Sequence, residues 1–251
     1  MYWRSTPHGC PPTLKAAEDG ALVLSVTPSV LSSANGTTTD LALKMEVPVS
    51  AVLHSNASGR AQLMFPDTST ISISPGTEVS LADFTDNETE QSLILNLVPG
   101  TARTVTGEVS RRTPAAFIIN TPQASVGIRG TIATVSAQGD ITRIFLTETS
   151  GQGVTVRALN TGKSTEMRMP GNLITVGPSG MEKRRANTGE AQNFNAALRG
   201  GEPSSTISAS FTSADPAGRA IPLWARITAI ADVYDALFPA AARRHGTPPT
   251  R

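Results

Sequence analysis

From Ala21 to Val176 the chain is written as short apolar runs, each closed by a turn signal and recurring at roughly ten-residue intervals. That punctuation is the strongest constraint on the fold. Runs this short cannot build long helices. Strict alternation, as in Thr70-Ile-Ser-Ile-Ser74 before Pro75-Gly76, gives each strand one apolar and one polar face. Such strands make an antiparallel sheet with one wet side, not a parallel sheet covered on both faces. No helical pattern recurs between them, which excludes a βαβ architecture. The spacing fits a sandwich, a barrel or a solenoid.

The expected strands begin with Ala21–Val26, Leu41–Val47, Val49–Leu53, Ala61–Phe65 and Thr70–Ser74. They continue with Glu78–Phe84, Leu93–Val98, Ala116–Asn120, Ser125–Ile128, Thr131–Ser136 and Ile141–Leu146. Val154–Leu159, Glu166–Met169 and Leu173–Val176 close the series. Four segments follow: a patternless, Pro-rich leader over 1–20, an all-β domain over 21–177, then two further stretches. Residues 178–217 read as a loop, a short helix within Gly189–Leu198 and a Ser/Thr/Pro/Gly-rich linker. Residues 218–251 hold an amphipathic helix, with Leu223, Ile227, Ile230, Val233 or Tyr234, and Leu237 at helical spacing, and a tail.

Composition agrees. Aromatic residues are 4% of the 251-residue chain, so Val, Ile, Leu and Ala must supply the core, a mix that favours strands. The formal net charge of +1 gives no overall field for nucleic acid. The basic clusters at Arg111–Arg112, Lys183–Arg184–Arg185 and Arg243–Arg244 are not interleaved with aromatics, so they read as solvated loop charge. Cys10 is the only cysteine, which excludes an internal disulfide and a cysteine-based metal site. No apolar region precedes it, so neither a lipid attachment site nor an export signal is expected there, and no run is long enough for a transmembrane helix. No cofactor is expected.

Two stretches carry a resemblance. Ser58 to Val79, with Gly59-Arg60-Ala61, the turn at Asp67-Thr68-Ser69 and the strand Thr70–Ser74, resembles the opening of a FecR domain. Phe117 to Thr131, containing Thr121-Pro122 and then Val126-Gly127-Ile128-Arg129-Gly130-Thr131, resembles that family's most recognisable run. The likeness extends over about Glu46 to Gly177. It implies a twisted, solenoid-like, extracytoplasmic β-domain that is periplasmic or extracellular. The implied role is non-catalytic: protein binding or signal transduction with another envelope protein as partner. The family's Asp-Gly-Ser turn is Asp67-Thr68-Ser69 here. A β-branched residue takes positive φ badly, so a different turn geometry is expected. Separately, Ala220 to Leu237 resembles one helix of HD-GYP cyclic-di-GMP phosphodiesterases, in which Asp232 would stand at a metal-ligand position. None of the three histidines is followed by Asp, and Gly-Tyr-Pro is absent, so a remnant or a partner-completed fragment is the most that this helix implies.

The motif positions Thr121, Pro122, Gly127, Arg129, Gly130 and Thr131 are the residues singled out. Arg129 could contact a ligand or partner. Its setting among small and apolar residues favours a structural guanidinium that ties off carbonyls at a bulge, with Glu78 or Glu148 as a carboxylate partner. Gly127 and Gly130 suggest a bulge or a close backbone approach. Asp67 reads as an Asx-turn residue, Glu78 as a surface carboxylate and His54 as solvent-facing. Asp83, Asp86, Glu88 and Glu90 match no calcium loop and read as a solvated hairpin tip. A structural or adhesive surface protein is the remaining alternative.

Overall fold

The computed structural model describes residues 20–27, 29–86, 91–107 and 116–196. The leader, the linker and the C-terminal amphipathic helix with Asp232 lie outside them. Among the described residues the fold is all-β. The strands are β1 (Gly20–Thr27), β2 (Val30–Ala34), β3 (Thr37–Asp40), β4 (Glu46–Pro48), β5 (Val52–Ser55), β6 (Arg60–Met64), β7 (Thr70–Ile73) and β8 (Glu78–Asp86). Then come β9 (Gln91–Leu97), β10 (Gly100–Val105), β11 (Phe117–Asn120), β12 (Ala124–Gln138), β13 (Ile141–Ala158), β14 (Ser164–Met167), β15 (Asn172–Gly177) and β16 (Gly180–Arg185). A helix, α1 (Thr188–Ala196), follows.

All sixteen strands belong to one strongly curled sheet. Its spine is the hairpin of β12 and β13. The first half of β12 pairs with β11, while its second half pairs with β10 on the same edge. β13 likewise pairs with β14 through Val154–Arg157 and with β15 through Thr142–Phe145. Two wings result. One runs β3-β2-β5-β8-β9-β11 to the spine and ends at β14; the other runs β4-β1-β6-β7-β10 to the spine and ends at β15 and β16.

The spine is doubled over. Fifteen residues of extended strand would span about 50 Å, yet Thr121, just before β12, hydrogen-bonds Thr142, just after it, at 2.8 Å between hydroxyls. Gln123 also donates to the Gly139 carbonyl at 3.2 Å. The bend sits where the β12–β13 register slips between Arg129 and Thr131. Gly130 takes φ +57° there, and Gly153 opposite takes φ +86°. Folding the spine places the inner faces of both wings on one core, in which Leu53, Val79, Leu95 and Ile119 of the first wing join Leu63, Ile71, Ala102 and Ile174 of the second. Phe65 and Phe84 stack across it with centroids 5.6 Å apart.

Several sequence expectations need correction. The hairpin of β2 and β3 was not expected, although Asn35-Gly36 is the two-residue turn that such a hairpin prefers (φ +51° and +76°). The run at Leu41 is mostly turn, with Lys44 at φ +64°, and only Glu46–Pro48 is strand. Ser125–Ile128 and Thr131–Ser136 are one strand, as are Ile141–Leu146 and Val154–Leu159 over most of their length, because the glycines between them bend the strands without ending them. Gly177–Thr188 is not a loop. β16 lies within it, paired with β15 and carrying Met181 onto the core despite its charged residues.

The Asp67 turn also differs. Thr68 does adopt positive φ, at +66°. The turn is fixed from both sides. Phe65 N–H donates to the Ser69 carbonyl at 2.8 Å, and Thr68 N–H donates to the Phe65 carbonyl at 3.0 Å. Buried Asp67 accepts from Ser69 N–H at 3.0 Å and from the Ser69 hydroxyl at 2.6 Å. These bonds hold Thr68 at positive φ.

Candidate interaction surface and the motif that frames it

The six motif positions divide into the two ends of the doubled spine. Thr121 is buried and acts as a hub: its hydroxyl accepts from Ala124 N–H at 3.0 Å and contacts the Thr142 hydroxyl, which in turn donates to Gln123. Pro122, beside it, is exposed in the connection between β11 and β12. At the bend, the Ser150 hydroxyl donates to the Gly130 carbonyl at 2.9 Å. Thr131 N–H donates to the Thr106 hydroxyl at 2.9 Å, tying the bend to the end of β10. The Thr131 hydroxyl itself is buried without a hydrogen-bond partner among the described residues. Gly127 is not at the bulge; it sits in regular register between Ile118 and Thr155.

Arg129 immediately precedes the bulge. Its guanidinium ties off no carbonyl among the described residues, and its Nε is buried without a partner. Glu78 is not its carboxylate, because Glu78 faces His54 at 3.2 Å on the outer surface. His54 is half-exposed, as expected, but it has this partner. Asp67 and Glu78 do not form a paired-carboxylate site: Asp67 is buried against Ser69 in its turn, and Glu78 faces His54. Asp83 accepts from the Ser92 hydroxyl on the adjacent strand; residues 87–90, the tip of that hairpin, lie outside the described residues. Of the basic clusters only Lys183–Arg184–Arg185 is described. Lys183 donates to the Glu166 carbonyl at 3.0 Å, and Arg184 makes a bidentate pair with Glu190 at 2.6 and 2.8 Å.

A FecR family model, described as "FecR protein", matches residues 51–150. The FecR match thus runs from the start of β5 into β13 and includes the bend. Two crystal structures of a Parabacteroides distasonis ATCC 8503 protein assigned as an anti-sigma factor are similar to this chain. Each has 18% identity and a TM-score of 0.45, and each match covers 57% of this chain. The matches cover 64% and 63% of those chains. A search of curated proteins finds no match. None of these comparisons supports the HD-GYP resemblance.

What the fold presents to a partner is set by its edges. β4 is three residues long and ends in Pro48. β14 has its Glu166 carbonyl taken by Lys183 of β16. β16 carries three consecutive basic residues. These are devices that blunt an edge. β3 carries neither a proline nor a basic residue, and Asp40 is its one charge. Its four residues, Thr37-Thr38-Thr39-Asp40, are all exposed, and among the described residues it pairs only with β2. Leu41 N–H donates to the Val30 carbonyl at 2.8 Å, which fixes the alternation of the ladder. Thr37 and Thr39 therefore bond inward to β2, and the N–H and C=O groups of Thr38 and Asp40 point away from the sheet. No helix among the described residues is long and apolar enough to cross a membrane.

Proposed function

We propose that this chain is a non-catalytic, extracytoplasmic β-module that binds another cell-envelope protein in protein recognition or signalling. The supporting observation is the open β3 edge. The outward N–H and C=O groups of Thr38 and Asp40 suit the addition of an extended strand from a partner. The motif Thr121, Pro122, Gly127, Arg129, Gly130 and Thr131 belongs, on this reading, to the frame that folds the spine and not to the contact surface. The FecR match supports placement in the periplasm or outside the cell. The β-module spans 21–177 together with β16.

The test is a photo-crosslinking residue at Thr37, on the exposed edge, in the full chain expressed in its native host, followed by cell fractionation. A cross-link to an envelope protein, lost on Thr38→Pro with the melting temperature unchanged, is the expected outcome. Proline at Thr38 removes an outward N–H without disturbing the ladder to β2. A cytoplasmic product, or cross-links that ignore Thr38→Pro, rejects the proposal.

A further inference from the structure

Helix α1 lies against the outer face of the second wing, and the way it is held leaves a cleft beside it. Asn187 and Glu190 form a reciprocal cap: Glu190 N–H donates to the Asn187 side chain at 2.8 Å, and Asn187 N–H donates to the Glu190 carboxylate at 3.0 Å. Arg184 grips the same carboxylate from β16. One turn on, Phe194 stacks on Phe145 of β13 with centroids 5.3 Å apart and planes 5° from parallel. Between helix and sheet is an open cleft of about 390 Å³, lined by Thr101, Ser136, Arg143, Glu190, Asn193 and Phe194, with Gln138 at its rim.

The polar groups of this cleft are unequally committed. The Thr101 hydroxyl donates to the Ser136 hydroxyl at 2.9 Å, which leaves the Ser136 O–H as a donor. Glu190 already accepts three hydrogen bonds, two from Arg184 and one from Asn187 N–H. Arg143, close enough to Glu190 to help hold it ionised, makes no hydrogen bond or ion pair with any described residue. The cleft therefore contains one guanidinium whose donors have no acceptor among the described residues, flanked by hydroxyls, amides and an aromatic ring. Among the lining residues it is the only cation, and the fixed negative charge of Glu190 nearby disfavours a dianion such as phosphate.

We propose that the cleft binds a monoanionic carboxylate ligand, gripped bidentately by Arg143, with its neighbouring amide or hydroxyl groups on Ser136, Gln138 and Asn193. A peptide C-terminus and a sugar acid share this chemistry. The site is distinct from the β3 edge and does not depend on it.

The experiment is calorimetric titration of the full chain with two acids and their neutral counterparts: N-acetyl-alanyl-alanine against its C-terminal amide, and glucuronate against glucose. Saturable binding of one acid, weakened by about tenfold or more in the neutral counterpart and in Arg143→Gln, is expected. The acid that binds identifies the source. Equal binding of acid and neutral compound, no binding of either acid, or unchanged binding by Arg143→Gln overturns the proposal. The acid-versus-neutral contrast is made on the unaltered protein, so it decides the matter even where the variant folds poorly.

Discussion

Thr68→Gly should stabilise this protein, although it removes a side chain. Thr68 sits at φ +66°, held there by the Phe65–Ser69 bonds and by the Asp67 carboxylate. For an L-residue the left-handed region costs roughly 1–2 kcal/mol, and a β-branched residue lies at the upper end. Glycine removes that strain but adds about 0.5–1 kcal/mol of unfolded-state entropy. Thr68 is only partly buried, so little packing is lost. The net expectation is a gain of about 0.5–1 kcal/mol, or a rise of roughly 1–4 °C in melting temperature for a chain of this size. Thermal unfolding followed by circular dichroism measures it, with Thr68→Ala alongside. Alanine keeps Cβ and should recover less than glycine. A melting temperature for Thr68→Gly at or below that of the wild type, or a gain by Thr68→Ala equal to that of glycine, would refute backbone strain as the cause.

Three further outcomes follow from the spine and the helix. Thr121→Val and Thr131→Val should part company in urea denaturation. The first strips a hydroxyl hub and costs about 1–3 kcal/mol, whereas the second replaces a buried, partnerless hydroxyl with an isostere and should be neutral or stabilising. Gly153→Ala should destabilise more than Gly130→Ala. A Cβ at Gly153 would meet the Met167 carbonyl at 2.3 Å, which is backbone, while one at Gly130 would meet the movable Ser150 hydroxyl at 2.4 Å. Costs of about 3 and 2 kcal/mol are expected, read from the same denaturation curves. Glu190 is held down to about 2 by its hydrogen bonds to Arg184 and Asn187 N–H. A depressed carboxylate stabilises above its ordinary value of 4.5 and ceases to do so as pH falls through about 2. The α1 contact with Phe145, followed by NMR, should therefore weaken between pH 4.5 and 2, and Glu190→Gln should abolish that dependence.

Much of the wing architecture was legible from period-two alternation, because that pattern is imposed by one buried face and needs no knowledge of the partner strand. The path of the chain was less so. Gly130 and Gly153 look like ordinary turn glycines in sequence. Whether such a residue ends a strand or folds it depends on hydrogen bonds from Thr106 and Ser150, which arrive from elsewhere. β16 was hidden because five of its six side chains are polar or absent, and only Met181 reaches the core. The β3 edge had a local signal in Asn35-Gly36. The α1 cleft had half of one: Asn187 followed three residues later by Glu190 spells a helix cap, but nothing local places Arg143 opposite. Arg129 misled for a related reason, since its position beside the bulge is visible while the destination of its side chain is not.

The doubled spine also sets a schedule. A chain emerging N-terminus first completes β9 and β10 before either has the strand that will cover its free side. β11 supplies the neighbour of β9 and β12 that of β10, only once residues 117–138 are available. Until then the nascent protein is two half-sheets with raw borders and no spine between them. Closure is thus a late event, and a truncation before Phe117 leaves both borders open to pairing with whatever strand is nearest.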